Sequence, residues 1–176
     1  SKHHKYKKDF EDLINTSMPY RMWDEIHKYD KDGNFSHTDY KLNPAHTYNF
    51  LEKNGFYRFK QPGTKQGYIY IRINGNVVEE IDAVEIKTFI TDFIKHRKFG
   101  SNLRNIFYRS QAMMAESSMS NLHQKEIDFT SYTKTSQYLI FKNQAWEVSA
   151  KQIKIHKQGE SPIFTWADAQ LLKHSE

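Results

Sequence analysis

The feature that most constrains the fold is a pair of alternating runs, GYIYIRI and VVEEI, on either side of Asn74-Gly75. Side chains along a strand point alternately to its two faces, so alternating apolar residues predict a half-buried strand. Asn-Gly between two such runs is typical of a two-residue hairpin turn. The preceding run FYRFK alternates in the same way. We therefore predict a three-stranded antiparallel meander over residues 56–81.

The two faces of this meander differ in chemistry. The residues predicted to face the core are aliphatic or aromatic: Tyr57, Phe59, Ile69, Ile71 and Ile73. Because side chains alternate, the outer face then holds aromatic and cationic residues: Phe56, Arg58, Lys60, Tyr68, Tyr70 and Arg72. Lys65 adds a cation in the connection, and the segment 56–72 contains no acid.

Two interpretations of this outer face stay open. Exposed tyrosines interleaved with cations suit single-stranded nucleic acid, because rings stack on bases with about 1–3 kcal/mol per base and cations contact phosphates. Alternatively, another helix or the second hairpin covers the face, and the tyrosines are packing residues. Aromatic residues favour strands whatever their function.

A second basic group spans the predicted end of one helix and the start of the next: Lys95, Arg97, Lys98, Arg104 and Arg109. Contact with phosphates is one interpretation. The other, which we favour, is a solvated group whose cations interact with the helix dipole, since cations are stabilising near a helix C-terminus.

The remaining helical patterns surround the meander. Apolar spacing predicts helices over 5–16, around 22–26, and over 44–55, 83–98, 101–115 and 117–122. Pro44 suits a first helical turn, while Gly55 and Gly100 are predicted to end helices. The segment 83–98 follows an Asp82–Glu85 pair typical of a capping box, and it carries one apolar stripe. That stripe comprises Ile86, Phe89, Ile90, Phe93 and Ile94.

Strand patterns return near the end of the chain. A second hairpin is predicted over 138–149, a further strand over 150–157, and a helical ending within 161–172. Helices, meander, helices and hairpin follow in groups, which predicts an α+β fold with several amphipathic helices. We expect residues 1–176 to be a single accessory domain cut from a larger protein, with 1–43 as a helical N-terminal extension.

Composition excludes several classes of protein. Cysteine is absent, so disulfides, thiolate catalysis and cysteine-based metal sites are excluded. Lys plus Arg is 26 against 21 acids, and the net charge of +5 favours an anionic partner such as nucleic acid. No apolar run approaches the roughly 18 residues of a membrane span, and the polar start lacks the apolar segment of a signal peptide. We expect a cytoplasmic protein that does not contact membranes.

The spacing of acids and histidine in the stretch DKDGNFSHTD can be compared with that of two kinds of metal site. Aligned with a calcium-binding loop, it places Lys28 at the first position and Asp39 instead of glutamate at the last. Asp30, Asp32 and His37 also resemble the metal carboxylates and histidine of archaeo-eukaryotic-type primases. Such carboxylates need a buried strand to hold two metals about 4 Å apart, and the approach EIHKYD is too polar for one. A surface turn is the favoured interpretation.

No catalytic constellation is evident in the sequence. The nine histidines lack HxxxH or HExxH spacing, GxSxG is missing, and Gly63 to Lys65 lack the rest of a Walker loop. We therefore expect no metal, no cofactor and no catalytic activity of this chain by itself.

Three stretches together resemble a known family. FLEKNGFYRFK, YIYIRINGNVVEEIDAVEIKTFITDFI and YLIFKNQAWEVSAKQIKIHK, the last leading to FTW, lie within roughly residues 45 to 170. The chain resembles the region just ahead of the ATPase in primase–helicase proteins of phages and mobile elements, especially those of Bacteroidetes. The resemblance implies a superfamily-3-type helicase whose nucleotide-binding loop lies beyond Glu176 and whose primase centre lies upstream.

Three functional hypotheses follow. The first is a non-catalytic domain that contacts single-stranded DNA or primer-template and connects primase and ATPase modules. The second is a coupling domain that touches protein only, with its outer sheet face covered by a neighbouring module or subunit, and oligomerises through the parent chain. The third is a divergent metal-dependent primase or nuclease that uses Asp30, Asp32 and His37.

Overall fold

Strands and helices alternate in groups along the chain, as the sequence pattern predicts. The computed structural model describes residues 21–61, 67–96, 100–110 and 115–172. The strands are β1 Trp23–Tyr29, β2 Phe35–Leu42, β3 Phe56–Phe59, β4 Ile69–Asn74, β5 Val77–Ile81, β6 Ser136–Ile140, β7 Gln144–Ser149, β8 Ile153–Lys157 and β9 Thr165–Trp166. The helices are α1 Pro44–Lys53, α2 Ala83–His96, α3 Ser101–Arg109 and α4 Glu116–Met119. The fold class is α+β.

These elements form two compact units. The helical unit combines the described residues up to Lys53 with residues 83–122, and the sheet unit combines 54–82 with the described residues from 123 onward. The chain therefore passes from one unit to the other three times. No linker composition marks these crossings, so the sequence pattern did not reveal the division.

The helical unit is built around α1 and α2. On α2, Ile86 and Ile90 are completely buried and Ile94 nearly so, which confirms the predicted apolar stripe. The ring of Phe50 on α1 lies 5.9 Å from that of Phe89 and 4.8 Å from that of Phe93. Aromatic pairs at these separations add to the stabilisation from buried area.

Helix α1 begins as the sequence predicts. Asn43 caps it, because the Asn43 side-chain oxygen accepts the backbone N–H of His46 at 3.2 Å. Gly55 lies just past its end with φ of +86°. Only glycine fits there, since a Cβ would lie 2.1 Å from the backbone oxygen of Ile73. Of the side chains predicted to face inward, Leu51 is buried, while the half-buried Tyr48 donates its hydroxyl to the Ser118 carbonyl.

The sheet unit contains the predicted meander. β3, β4 and β5 pair antiparallel in chain order, and β9 joins β5 in parallel to make a four-stranded sheet. Its core consists of Phe59, Ile71 and Val78, against which the ring of Trp166 packs. Trp166 in turn stacks on Phe129 with ring centroids 4.8 Å apart. The inner face is thus aliphatic and aromatic, as predicted.

A second sheet in the same unit contains β6, β7 and β8, all antiparallel, which confirms the second hairpin and its additional strand. The free edge of β6 is covered by the preceding segment: Tyr138 donates its backbone N–H to the Ser131 carbonyl and Thr133 donates to Ser136. The edge of β3 is covered as well, because residues 123–125 exchange backbone hydrogen bonds with Arg58. Covered edges prevent unwanted strand pairing.

Two predictions about the N-terminal region are wrong. Residues 23–26, within the segment predicted as helix, form the start of β1, and the turn-rich stretch 29–44, predicted as loop with a brief strand at Phe35, contains all of β2. The described part of the predicted helical extension 1–43 is therefore a β-hairpin. Met22, Trp23 and Ile26 have helical spacing, but the strands of this segment pair with each other instead. The pairing runs from Trp23–Leu42 to Tyr29–Phe35. The predicted helix over 5–16 lies outside the described residues.

The predicted helical ending is also wrong. β9 pairs with β5, and beyond it Leu171 donates its backbone N–H to the Ile140 carbonyl while its own carbonyl accepts from Lys142. Backbone groups that pair with two separate sheets are not free to form helical bonds. The helix predicted over 101–115 ends at Arg109 where it is described, and Gly100 precedes α3 as its N-cap.

None of the helices in the described parts of the chain is long and apolar enough to cross a membrane.

Candidate nucleic-acid interface

The strand register places the predicted outer-face residues together. Phe56 pairs with Arg72 and Arg58 pairs with Tyr70 across β3 and β4. Directly paired residues of antiparallel strands share one face of the sheet. The register therefore places these four side chains on one face, opposite Phe59, Ile71 and Val78.

One end of this face is open to solvent. The Arg58 guanidinium lies over the Tyr68 ring at 4.5 Å from its centroid, and 46% of Tyr68 is exposed. Lys60, which follows β3 directly, is exposed as well. Stacking of the guanidinium on the ring holds both groups in a defined position. We call Arg58, Lys60 and Tyr68 the rim.

The other end of the face is closed by packing and by charge. The Arg72 guanidinium lies 5.1 Å from the centroid of the Phe56 ring, and Phe56 is only 2% exposed. Across the next strand pair, Arg72 lies opposite Glu79. Tyr70 is half-buried. The face is therefore less cationic than the segment 56–72 indicated, because β5 contributes an acid from outside that segment.

Arg72 and Glu79 nevertheless border solvent. They line a cleft of about 400 Å³ whose other side chains include Asn74, Gln158 and Gln170. Amide side chains and a guanidinium supply both donors and acceptors, the groups that contact base edges and sugar hydroxyls. The glutamines come from distant parts of the chain, so no sequence pattern could have grouped them with Arg72.

The described members of the second basic group lie on two different helices. Lys95, on α2, lies 3.5 Å from the Asp92 carboxylate, an exposed pair that contributes little. Arg104 and Arg109 are exposed on α3, but five positions along a helix separate them by roughly 140° around its axis. Arg97 and Lys98 lie outside the described residues, as does Lys65 of the first group.

The DKDGN stretch is a surface turn, as the favoured interpretation held. One Asp30 carboxylate oxygen accepts the backbone N–H groups of Asn34 and Asp32 at 2.8 and 2.9 Å. These bonds, first the one from Asn34, lower the pKa of Asp30. His37 lies 3.6 Å from Asp39, and both are exposed. Among the described residues no three His, Asp or Glu side chains lie together as metal ligands would.

A polar cluster that the sequence did not reveal lies on β6–β8. Glu147 bonds to His156 at 3.0 Å, and this bond, followed in weight by one from Tyr138, lowers the pKa of Glu147. Burial, followed by the bond to Glu147, raises the pKa of Tyr138. A correct prediction of the β6–β7 register would have revealed this cluster, since Tyr138 pairs with Glu147 across the two strands.

No protein-family model, curated protein or solved structure matches this chain.

Proposed function

We propose that this chain is a non-catalytic domain that contacts single-stranded nucleic acid through the rim and the adjoining Arg72 cleft. The observation that carries the proposal is the Arg58–Tyr68 stack on the exposed end of the meander. An exposed ring supplies a platform for a base, and the guanidinium and Lys60 supply charge for the neighbouring phosphates. The chain's net charge of +5 supports the same partner.

The sequence resemblance gives this proposal a setting. We propose that the domain belongs to a cytoplasmic replication primase–helicase, in which it contacts single-stranded DNA or primer-template between the primase and ATPase modules. The absence of a nucleophile motif or Walker loop from the sequence supports a contact role for this chain instead of chemistry.

The rim is tested by anisotropy of a labelled oligothymidine titrated with the protein across a salt series. Tyr68→Ala should weaken binding roughly 5-fold or more, which corresponds to the lower end of stacking energies. Lys60→Ala should reduce the slope of log affinity against log salt by about 0.7, the contribution of one phosphate contact on a single strand.

The matched control is Tyr132→Ala, because Tyr132 belongs to the same unit, is 65% exposed and lies outside the meander. Its affinity should equal that of the wild type. Equal losses in both variants would indicate nonspecific attraction to a basic protein. No binding of the wild type at low salt would contradict this proposal and would favour the protein-coupling hypothesis.

A further inference from the structure

The β1–β2 hairpin extends from the helical unit as a ribbon arm, residues 23–42. Only its base is buried, where Trp23 and Leu42 pair and the Phe107 ring meets Trp23 edge-on at 6.3 Å. Every residue from 24 to 37 is exposed. Seven residues of strand make the arm roughly 20 Å long. A two-stranded ribbon exposed on both faces is marginally stable in water, so an arm of this kind is suited to gain stability from a partner.

The end of the arm carries aromatic rings in the open. Phe35 lies 6.0 Å from the His27 ring and 6.3 Å from the Tyr29 ring. Tyr29 is 62% and Phe35 59% exposed. Exposed aromatic clusters are typical of the anchor residues of protein interfaces. We call Tyr29 and Phe35 the tip.

The charge of the arm indicates what kind of partner it fits. Five acids, Asp24, Glu25, Asp30, Asp32 and Asp39, outnumber three lysines, Lys28, Lys31 and Lys41. The arm therefore carries −2, whereas the rest of the chain carries +7. Phosphates repel such an arm, so its partner is a basic protein surface. A second copy of this chain offers one.

The surface with matching chemistry is one face of the β6–β8 sheet. The register aligns its apolar side chains on that face: Leu139, Trp146, Val148, Ile153 and Ile155. Ile153 is 57%, Ile155 61% and Leu139 37% exposed. Lys157 lies on the same face, and Lys142 and Lys151 flank it in the adjoining turns. We call this surface the apolar sheet face.

We propose that the tip of one copy's arm docks on the apolar sheet face of a second copy. The aromatic rings of the tip cover the two isoleucines, and Asp30 and Asp32, the acids of the arm that lie in the turn beside the tip, face the lysines around them. Because the two patches differ, every copy offers both. Two copies can exchange arms in a closed two-fold pair, and successive copies can join head-to-tail in a ring or an open chain.

Two double variants separate the partners. The tip variant is Tyr29→Ser with Phe35→Ser, and the face variant is Ile153→Thr with Ile155→Thr, which keeps a β-branched residue at each strand position. Sedimentation velocity at concentrations up to about 100 µM should show association of the wild type and a monomer for each variant. Val84→Ser is the control, because Val84 is a 68% exposed apolar residue on α2, and this variant should associate like the wild type.

Mixing the two double variants provides the decisive measurement. The tip variant keeps an intact sheet face and the face variant keeps an intact tip, so the mixture should form a 1:1 complex and nothing larger. A monomeric wild type, a variant that still associates, or a mixture that stays monomeric would each overturn the proposal.

A charge reversal tests the same contact without removing apolar side chains. Lys157→Glu should weaken association of an otherwise native protein, and higher salt should weaken association of the wild type because the facing charges are opposite. Association that strengthens with salt and ignores Lys157→Glu would contradict the role of charge. Tyr68→Ala should leave association unchanged, so this proposal and the nucleic-acid proposal can fail separately.

Discussion

The ribbon arm and the meander β3–β5 are both ladders of antiparallel strands, but they obtain their stability differently. In the sheet unit, one face of the meander is covered, so that Ile71 and Val78 are completely buried. In the arm, Ile26 remains 40% exposed and only the base is covered. In both regions each strand pairs with its neighbour along the chain. The burial of the side chains depends instead on which other segments pack against the strands. Three comparisons test this contrast, and a fourth measurement compares the two ends of the meander face.

The largest difference is expected between two isoleucines at strand centres. Ile71→Ala should reduce the free energy of unfolding by about 2–5 kcal/mol, because it leaves a cavity in a packed core. Ile26→Ala, in the arm, should change it by about 0.5 kcal/mol or less. Chemical denaturation of both variants measures these values. Similar losses would show that the arm is buried in solution and would remove the contrast.

Two glycines in hairpin turns provide the second comparison. A Cβ on Gly75, at φ of +60°, would lie 2.4 Å from the Gly159 carbonyl oxygen, whereas a Cβ on Gly33, at φ of +82°, meets nothing within 4 Å. Gly75→Ala should therefore cost about 1–3 kcal/mol of stability. Gly33→Ala introduces backbone strain but no clash, and it does so in a ribbon that opens locally. The thermal midpoint of the Gly33→Ala variant should therefore stay close to that of the wild type. A reversed order would show that the arm turn is the more constrained one.

The third comparison is between two carboxylates, and its effect on stability is expected to be smaller than that of the isoleucines or the glycines. Glu147, in the sheet unit, has a folded-state pKa below its ordinary value of 4.5, chiefly through His156. Its stabilising contribution is present above pH 4.5 and is lost as pH falls through the lowered pKa. Glu147→Gln should therefore destabilise the protein at pH 7, and its difference from the wild type should shrink progressively as pH falls below 4.5.

The matched variant is Asp30→Asn in the arm. The pKa of Asp30 is lowered too, from 3.8, by bonds confined to the turn. Its removal should weaken the turn without changing the pH dependence of global unfolding, because the arm opens separately. A pH-independent deficit in Glu147→Gln would contradict the assigned cause of its lowered pKa.

The nucleic-acid titration is the fourth measurement, and it distinguishes two ends of one face. Tyr68 is exposed and Tyr70 is half-buried, so Tyr68→Ala should weaken binding more than Tyr70→Ala does. A larger effect of Tyr70 would place the binding surface along the strand instead of at the rim.

Much of the fold was predictable where the hydrophobic period and the turn residues indicate the same element. The meander has aliphatic alternation and a turn glycine, and α2 has a continuous apolar stripe, so both elements were predicted correctly. The turn itself lies one residue later than predicted, at Gly75 and Asn76, because Asn74 pairs with Val77 as the last residue of β4. The arm was mispredicted because Met22, Trp23 and Ile26 have helical spacing. Its strands are polar on both faces and lack the alternation that burial imposes. The helical ending failed because β9 is held by partners on β5, far earlier in the chain.

The candidate site was predictable only in part. The grouping of Arg58, Tyr70 and Arg72 on one face follows from alternation alone. The stack of Arg58 on Tyr68, the burial of Phe56 and the acid opposite Arg72 depend on the depth of packing and on a third strand. Neither the depth of packing nor the position of the third strand can be read from residues 56–72.

The sequence by itself determined the α+β class, the period of the meander, the helix α2 and the cationic balance, because these depend on residues close together along the chain. The tertiary structure alone decided that the chain divides into two interleaved units, that the arm is a ribbon, and which end of the meander is open. Those outcomes depend on which strands pair and on what packs against them, and these contacts outweigh local propensity.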